Sequence, residues 1–176
     1  MELATIWYAR VMSKLRVIAI DMRSTHNVGA LLRTADCLGV DHVYLCGTSP
    51  YPKGQPNDSR LPHLQTKLDA QIHKTALGAD QSKGWSYHES LDELLKQLRA
   101  DGWSLVALEQ DNRSVPITTF SLAKNTALLL GTEVTGIEKS VLDTMDAIIE
   151  IPMHGKKESL NVVQAAAIAC YALISS

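Results

Sequence analysis

The chain has 176 residues, 45% apolar and 20% charged, a balance normal for a soluble globular protein with a substantial core and a length that fits one domain. The formal net charge is −2, so any nucleic acid must be held by a local patch or a groove between subunits rather than by overall charge. The three cysteines are scattered, with no Cys-x-x-Cys pair and no Cys/His ligand spacing, which argues against zinc and against a disulfide framework.

Residues 1–13 have a weak pattern and read as a short helix or tail. With Glu2, Arg10, Lys14 and Arg16 and no long apolar run, this end is neither a signal peptide nor a membrane anchor. A reducing cytoplasm is the simplest compartment. Leu15 to Asp21 is an apolar run rich in β-branched residues, hence a buried strand. Ser24 to Asn27 supply loop and N-cap chemistry for a helix running to Leu38, and Gly39 suits its end. His42 to Leu45 reads as a second strand. Gly47 to Arg60, with Pro50, Pro52, Gly54 and Pro56, is a long loop, and long loops in compact folds are usually functional or disordered. Leu64 to Ala76 is read as a helix and Gly84 to His88 as a short strand.

Ser90 to Asp101 carries Leu91, Leu94, Leu95 and Leu98 at helical spacing. Ser104 to Glu109 and Thr126 to Gly131 are buried strands, Glu138 to Thr144 a short helix, and Ala147 to Ile151 a strand stopped by Pro152. The last helix spans about 161–174, and from Val162 to Ile174 only Gln164 is strongly polar. Such a helix must be buried on all sides yet is far too short to span a membrane, so a second subunit is expected to cover it. Strands that are continuous apolar runs alternating with helices predict an α/β fold, a mostly parallel sheet with helices on both faces.

The usual nucleotide fingerprints fail. No Gly-x-Gly-x-x-Gly follows a strand, and the Gly131–Gly136 turn has Ile137 and Glu138 where a phosphate loop needs Lys and Ser or Thr. Three strand-end segments remain. Asn27, Gly29 and Arg33 follow the first strand, Arg33 lying about 200° round the helix from Leu31 and so away from its packing face. Gly131, Glu133 and Gly136 place one carboxylate at the lip of the sheet. Ile151-Pro152-Met153 leads into a polar loop and a helix capped by Ser159 or Asn161. Each alone also fits an ordinary surface arginine, a plain turn or a plain cap.

Together and in order, these segments resemble the SpoU/TrmH family of the SPOUT superfamily over Leu15 to Leu173. Asn-x-Gly-x-x-x-Arg is matched by Asn27, Gly29 and Arg33, and Gly-x-Glu-x-x-Gly by Gly131, Glu133 and Gly136. Ile-Pro-Met-x-Gly followed by Ser-Leu-Asn-Val is matched by Ile151, Pro152, Met153, Gly155, Ser159, Leu160, Asn161 and Val162. Thr132 and Val134 beside Glu133, and Val163 after the third motif, depart from many relatives. The resemblance implies a SPOUT-type fold with a deep C-terminal trefoil knot and a homodimer paired through the last helix. It implies S-adenosylmethionine as cofactor, held at Leu108, Gly131, Ile151, Met153 and Leu160, and no metal. It implies methyl transfer to an RNA ribose 2′-hydroxyl, with Arg33, Asn27, Glu133, Ser159 and Asn161 as catalytic residues, Asn27 and Glu133 orienting Arg33. Neutralising a guanidinium at pH 7 costs about 7 kcal/mol, so Arg33 is expected to bind phosphate and hydroxyl rather than act as a base.

The RNA is expected to meet Lys53, Arg60, Lys67, Lys74 and Lys83 around the long loop and Lys156 and Lys157 beside the third motif. Asp58, Asp69 and Asp80 lie among them, and a plain solvated surface fits equally well. With no added RNA-binding domain evident, a tRNA is favoured over an rRNA. The competing readings are a non-catalytic RNA-binding module of the same fold and an RNA base methyltransferase of the superfamily.

Overall fold

The computed structural model describes residues 14–175 apart from Asn57, Lys83 and Lys124; the expected helix or tail over 1–13 lies outside the described residues. Seven strands form one sheet in the order β3-β2-β1-β6-β4-β7-β5, and every neighbouring pair is parallel. They are β1 (Lys14–Ile20), β2 (His42–Cys46), β3 (Trp85–His88), β4 (Ser104–Leu108), β5 (Val115–Pro116), β6 (Asn125–Leu130) and β7 (Ala147–Glu150). The helices are α1 (Thr25–Leu38), α2 (Pro62–Ala76), α3 (Leu91–Ala100), α4 (Lys139–Leu142) and α5 (Val162–Ser175).

Successive strand side chains point to opposite faces, and both faces are covered. Val17, Ala19, Leu128 and Leu130 pack with Leu31, Ile72 and Ala169 from α1, α2 and α5. Ile18, Leu105, Ala107 and Leu129 pack with Leu94, Leu98 and Leu142 from α3 and α4. This double burial is why the strands read as unbroken apolar runs.

Local chemistry sets the helix ends. Ser24 Oγ accepts from Asn27 N at the start of α1, and Gly39, at φ 70°, closes its end in the left-handed conformation. Helix α2 begins at Pro62 rather than at Leu64, since proline suits a first turn whose N–H groups have no helical acceptor. Strand β5 was not anticipated: two residues long and containing Pro116, it pairs only at the sheet edge, where a missing N–H is tolerated.

The strand order positions the site. After β4 the chain crosses to the edge strand β5, returns to the centre as β6 between β1 and β4, and then inserts β7 between β4 and β5. Strands β1 and β6, neighbours drawn from opposite ends of the chain, create the switch point at which loops beyond the carboxyl ends diverge.

Candidate active site

A crevice of about 510 Å³ opens at the carboxyl ends of β4, β6 and β7. Its wall contains Leu108, Gly131, Ile151, Met153 and Leu160, all five residues expected at a cofactor, together with Glu133, Ser159 and Asn161. The volume lies within the range of small-molecule sites.

Gly131 and Gly136 are demanded by backbone approach. A Cβ on Gly131 would lie 2.5 Å from the carbonyl carbon of Gly136. Gly136 has a φ of 68°, and a Cβ there would sit 2.3 Å from Glu109 Oε2. Thr132 and Gly136 exchange backbone hydrogen bonds of 3.1 and 3.3 Å, closing the turn and thrusting Glu133 outward. Thr132 Oγ1 also accepts from Thr135 N at 3.0 Å, so the threonine beside Glu133 braces the turn. Glu109, missed in the sequence, accepts from Ile137 N at 2.9 Å and holds the far side of this turn.

Glu133 joins the three segments. Its Oε1 accepts from Asn27 Nδ2 at 2.9 Å, and its Oε2 accepts from the backbone N–H of Arg23 at 3.1 Å. Asn161 Nδ2 donates to Asn27 Oδ1 at 3.5 Å, while Asn161 Oδ1 accepts from Val163 N at 2.9 Å. Asn161 therefore caps α5 and reaches the first turn of α1 with the same amide; Ser159 lines the crevice without that capping bond. Partial burial pushes the Glu133 carboxyl up, but the bonds from Asn27 and the backbone N–H groups outweigh it, so its pKa is lowered. Gln110 Nε2 donates to Glu158 O at 2.7 Å and ties the third segment to the end of β4.

Arg33 is the exception. It lines a different cavity, between α1 and α5, with Lys74, Ile168 and Tyr171. Asn27 and Arg33 are six residues apart, which on a helix is about 240° of rotation and about 9 Å of rise. Asn27 and Glu133 bond to each other and not to Arg33, so their expected role of orienting it is not met within one chain. Helix α5 is buried by its own chain on one side only. Ala166, Ala169, Cys170 and Leu173 are buried, but Ile168 is 44% and Tyr171 65% exposed, leaving an apolar face in that second cavity.

The expected basic contacts are partly spoken for. Lys53 pairs with Asp69 at 3.3 Å and Arg60 with Asp58 at 2.5 Å, and Asp80 meets His73. Lys67, Lys74, Lys156 and Lys157 are exposed, and Lys83 lies outside the described residues.

Comparison with known proteins agrees with this geometry. The model of the SpoU rRNA Methylase family matches residues 14–171. A tRNA (guanosine(18)-2′-O)-methyltransferase of Escherichia coli is 28% identical over 163 residues, 93% of this chain and 64% of that protein. A 23S rRNA (guanosine-2′-O-)-methyltransferase of Nitrosomonas europaea is 29% identical over 150 residues, 85% of this chain and 52% of its own. The chain thus spans between half and two thirds of the length of these relatives. Among solved structures, the SpoU methyltransferase AviRb from Streptomyces viridochromogenes in complex with AdoMet superposes with a TM-score of 0.75 at 22% identity, covering 93% of this chain and 58% of that one. The A. aeolicus TrmH/SpoU tRNA modifying enzyme gives 0.73 at 23% identity, covering 99% and 82%. With the family model matching nearly the whole chain and its three motif segments gathered at one end of the sheet, this protein belongs to the SpoU rRNA Methylase family.

Proposed function

We propose that this chain is an S-adenosylmethionine-dependent methyltransferase domain acting on a ribose 2′-hydroxyl of RNA in the cytoplasm, a tRNA being favoured, and that it works as a homodimer. The observation that carries this reading is the linkage of Asn27, Glu133 and Asn161, from three distant segments, beside a crevice of suitable size. The names of the relatives, which are tRNA and 23S rRNA ribose methyltransferases, support the reaction class.

The crevice suits the cofactor chemically. Ile151, Met153 and Leu160 offer an apolar bed, Gly131 admits main-chain groups, and Glu109, Glu133 and Glu150 set carboxylates around a ligand that carries positive charge. When bound, S-adenosylmethionine supplies an electrophilic methyl carbon and leaves as a neutral thioether. No metal is needed for such a departure. The chain's own work is alignment: Glu133 and Asn27 fix the lip of the crevice, and Ser159 and Asn161 complete its wall.

Arg33 belongs to this site as the residue of a second copy. The apolar cavity beside it, with exposed Ile168 and Tyr171, is the surface through which two chains would pair, and pairing is what can bring Arg33 of one copy to the crevice of the other. There the guanidinium holds a phosphate and the 2′-hydroxyl while remaining charged. The trefoil knot is part of this proposal through the family resemblance, and the placement of β6 and β7 between earlier strands is compatible with it. Mixing Arg33→Ala protein with Asn161→Ala protein tests the arrangement. Each variant alone is expected to be inactive in labelled-methyl transfer to tRNA. The mixture is expected to regain activity, because one crevice per mixed dimer has both groups; no recovery contradicts the shared site.

A further inference from the structure

A third cavity, of about 830 Å³, lies at the carboxyl ends of β1, β2 and β3, outside the crevice. It adjoins the proposed site directly. Arg23 lines this cavity, while its backbone N–H binds the carboxylate of Glu133, which lines the crevice. The two hollows therefore flank one contact at the β1/β6 switch point.

The cavity is held by a rigid frame. Tyr51 and Tyr87 stack at 4.0 Å, and the Arg60 guanidinium lies 3.4 Å over the Tyr51 ring. Arg60 is fixed by Asp58 and by the carbonyl of Tyr51 at 2.8 Å, and Tyr87 OH donates to Gly47 O at 2.7 Å. Thr48, in the lining, donates its backbone N–H to Asp21 at 2.7 Å, and Asp21 itself takes a positive φ of 45°. The long proline-rich loop is thus braced at several points, in the way of binding loops on a scaffold.

The groups left over define a ligand. The Arg23 guanidinium, the Glu89 carboxylate and the amide nitrogens of Gln55 and Gln71 have no hydrogen-bond partner among the described residues, whereas the charge of Arg60 is matched by Asp58. One exposed cation and one exposed carboxylate along the same lining do not suit a polyphosphate. They suit a single phosphodiester together with an edge that offers donors. Both faces of the Tyr51 ring are covered, so a base here does not stack on it, and the groups that remain to read it are the side chains along the lining. An acceptor-only carboxylate favours guanine, whose ring N–H and exocyclic amine are adjacent donors.

We infer that this cavity takes one guanine nucleotide of the RNA substrate beside the methylated ribose, with its phosphate at Arg23 and its base edge at Gln55, Gln71 and Glu89. The inference rests on the proposed RNA-directed activity and deepens it. The test measures binding of end-labelled unfractionated tRNA by anisotropy, and of S-adenosylmethionine by calorimetry, for the wild type, Arg23→Ala, Gln71→Ala and Glu89→Gln. The two alanine variants are expected to weaken tRNA binding about tenfold while leaving cofactor affinity within about twofold and the melting temperature unchanged. Glu89→Gln is expected to abolish the preference for guanosine 5′-monophosphate over adenosine 5′-monophosphate as competitor. Unaltered tRNA affinity in all three variants, with methyl transfer intact, overturns the pocket and leaves the reaction standing. Weakened tRNA binding without any transfer by the wild type upholds the pocket and contradicts the reaction.

Discussion

Gly29 lies within the first motif, yet its surroundings assign it to packing, and Gly29→Ala shows how much. Helix α1 approaches α2 so closely here that a Cβ would lie 2.2 Å from Thr75 Oγ1, 2.3 Å from the carbonyl oxygen of Ile72 and 3.0 Å from Ala76 N. Thr75 can rotate, at the cost of its 3.0 Å bond to the carbonyl of His26, worth about 1 kcal/mol. Ile72 O is backbone, and relief there requires α2 to shift by about 1 Å, although Ile72 and Ala76 are fully buried in the core. Overpacking of this kind costs about 1–3 kcal/mol. Alanine in place of glycine in a helix returns about 1 kcal/mol. The balance is a loss of about 1–3 kcal/mol, or about 3–8 °C in melting temperature for a domain of this size. Thermal unfolding followed by circular dichroism measures it. The double variant Gly29→Ala/Thr75→Ala is expected to recover only part, because the Ile72 carbonyl still blocks the methyl. A Gly29→Ala protein as stable as the wild type would refute the close-approach argument.

Replacing Glu133 by Gln removes the carboxylate but keeps the shape; transfer is expected to fall about tenfold or more with little change in melting temperature, the scale of one charge-assisted hydrogen bond. His42 has its pKa lowered from 6.5 to about 4 by burial and by the charges of Arg16 and His88. The unfolded chain therefore takes up this proton first, and stability is expected to fall as pH drops from about 6.5 toward 4. His42→Gln should flatten that part of a melting-temperature profile, and an unchanged slope would count against the assignment. Tyr171→Glu, on the exposed face of α5, is expected to yield monomers in sedimentation and to abolish transfer; an intact dimer would relocate the interface.

Much of the fold could be read because burial on both sheet faces writes itself as uninterrupted apolar strands, and because Ser24 and Gly39 have no better use than as caps. Helix α2 lost its first residues to a signal that was present, Pro62 at a helix start. Strand β5 carried no signal: two residues, one a proline, gain strand character only by lying beside β7. The order of strands was equally silent, since the return of β6 to the centre depends on contacts far apart in the chain.

The gathering of Gly131, Ile151, Leu160, Glu133 and Asn161 at one crevice followed from their places at strand ends. The displacement of Arg33 was also implicit in its helical phase, which turns it from the face that carries Asn27; what the phase lacked was the identity of the surface it meets. Glu109 escaped because a carboxylate that braces a turn looks, in sequence, like any polar residue after a strand.

The most direct measurement supplies methyl-labelled S-adenosylmethionine and unfractionated tRNA to the protein, then hydrolyses the RNA in alkali. A methyl on the ribose removes the hydroxyl that alkali needs for cleavage, so label is expected in dinucleotides. Label confined to mononucleotides would mean methylation of a base, and none at all, with tRNA and rRNA both offered, would contradict the assignment of this crevice to methyl transfer.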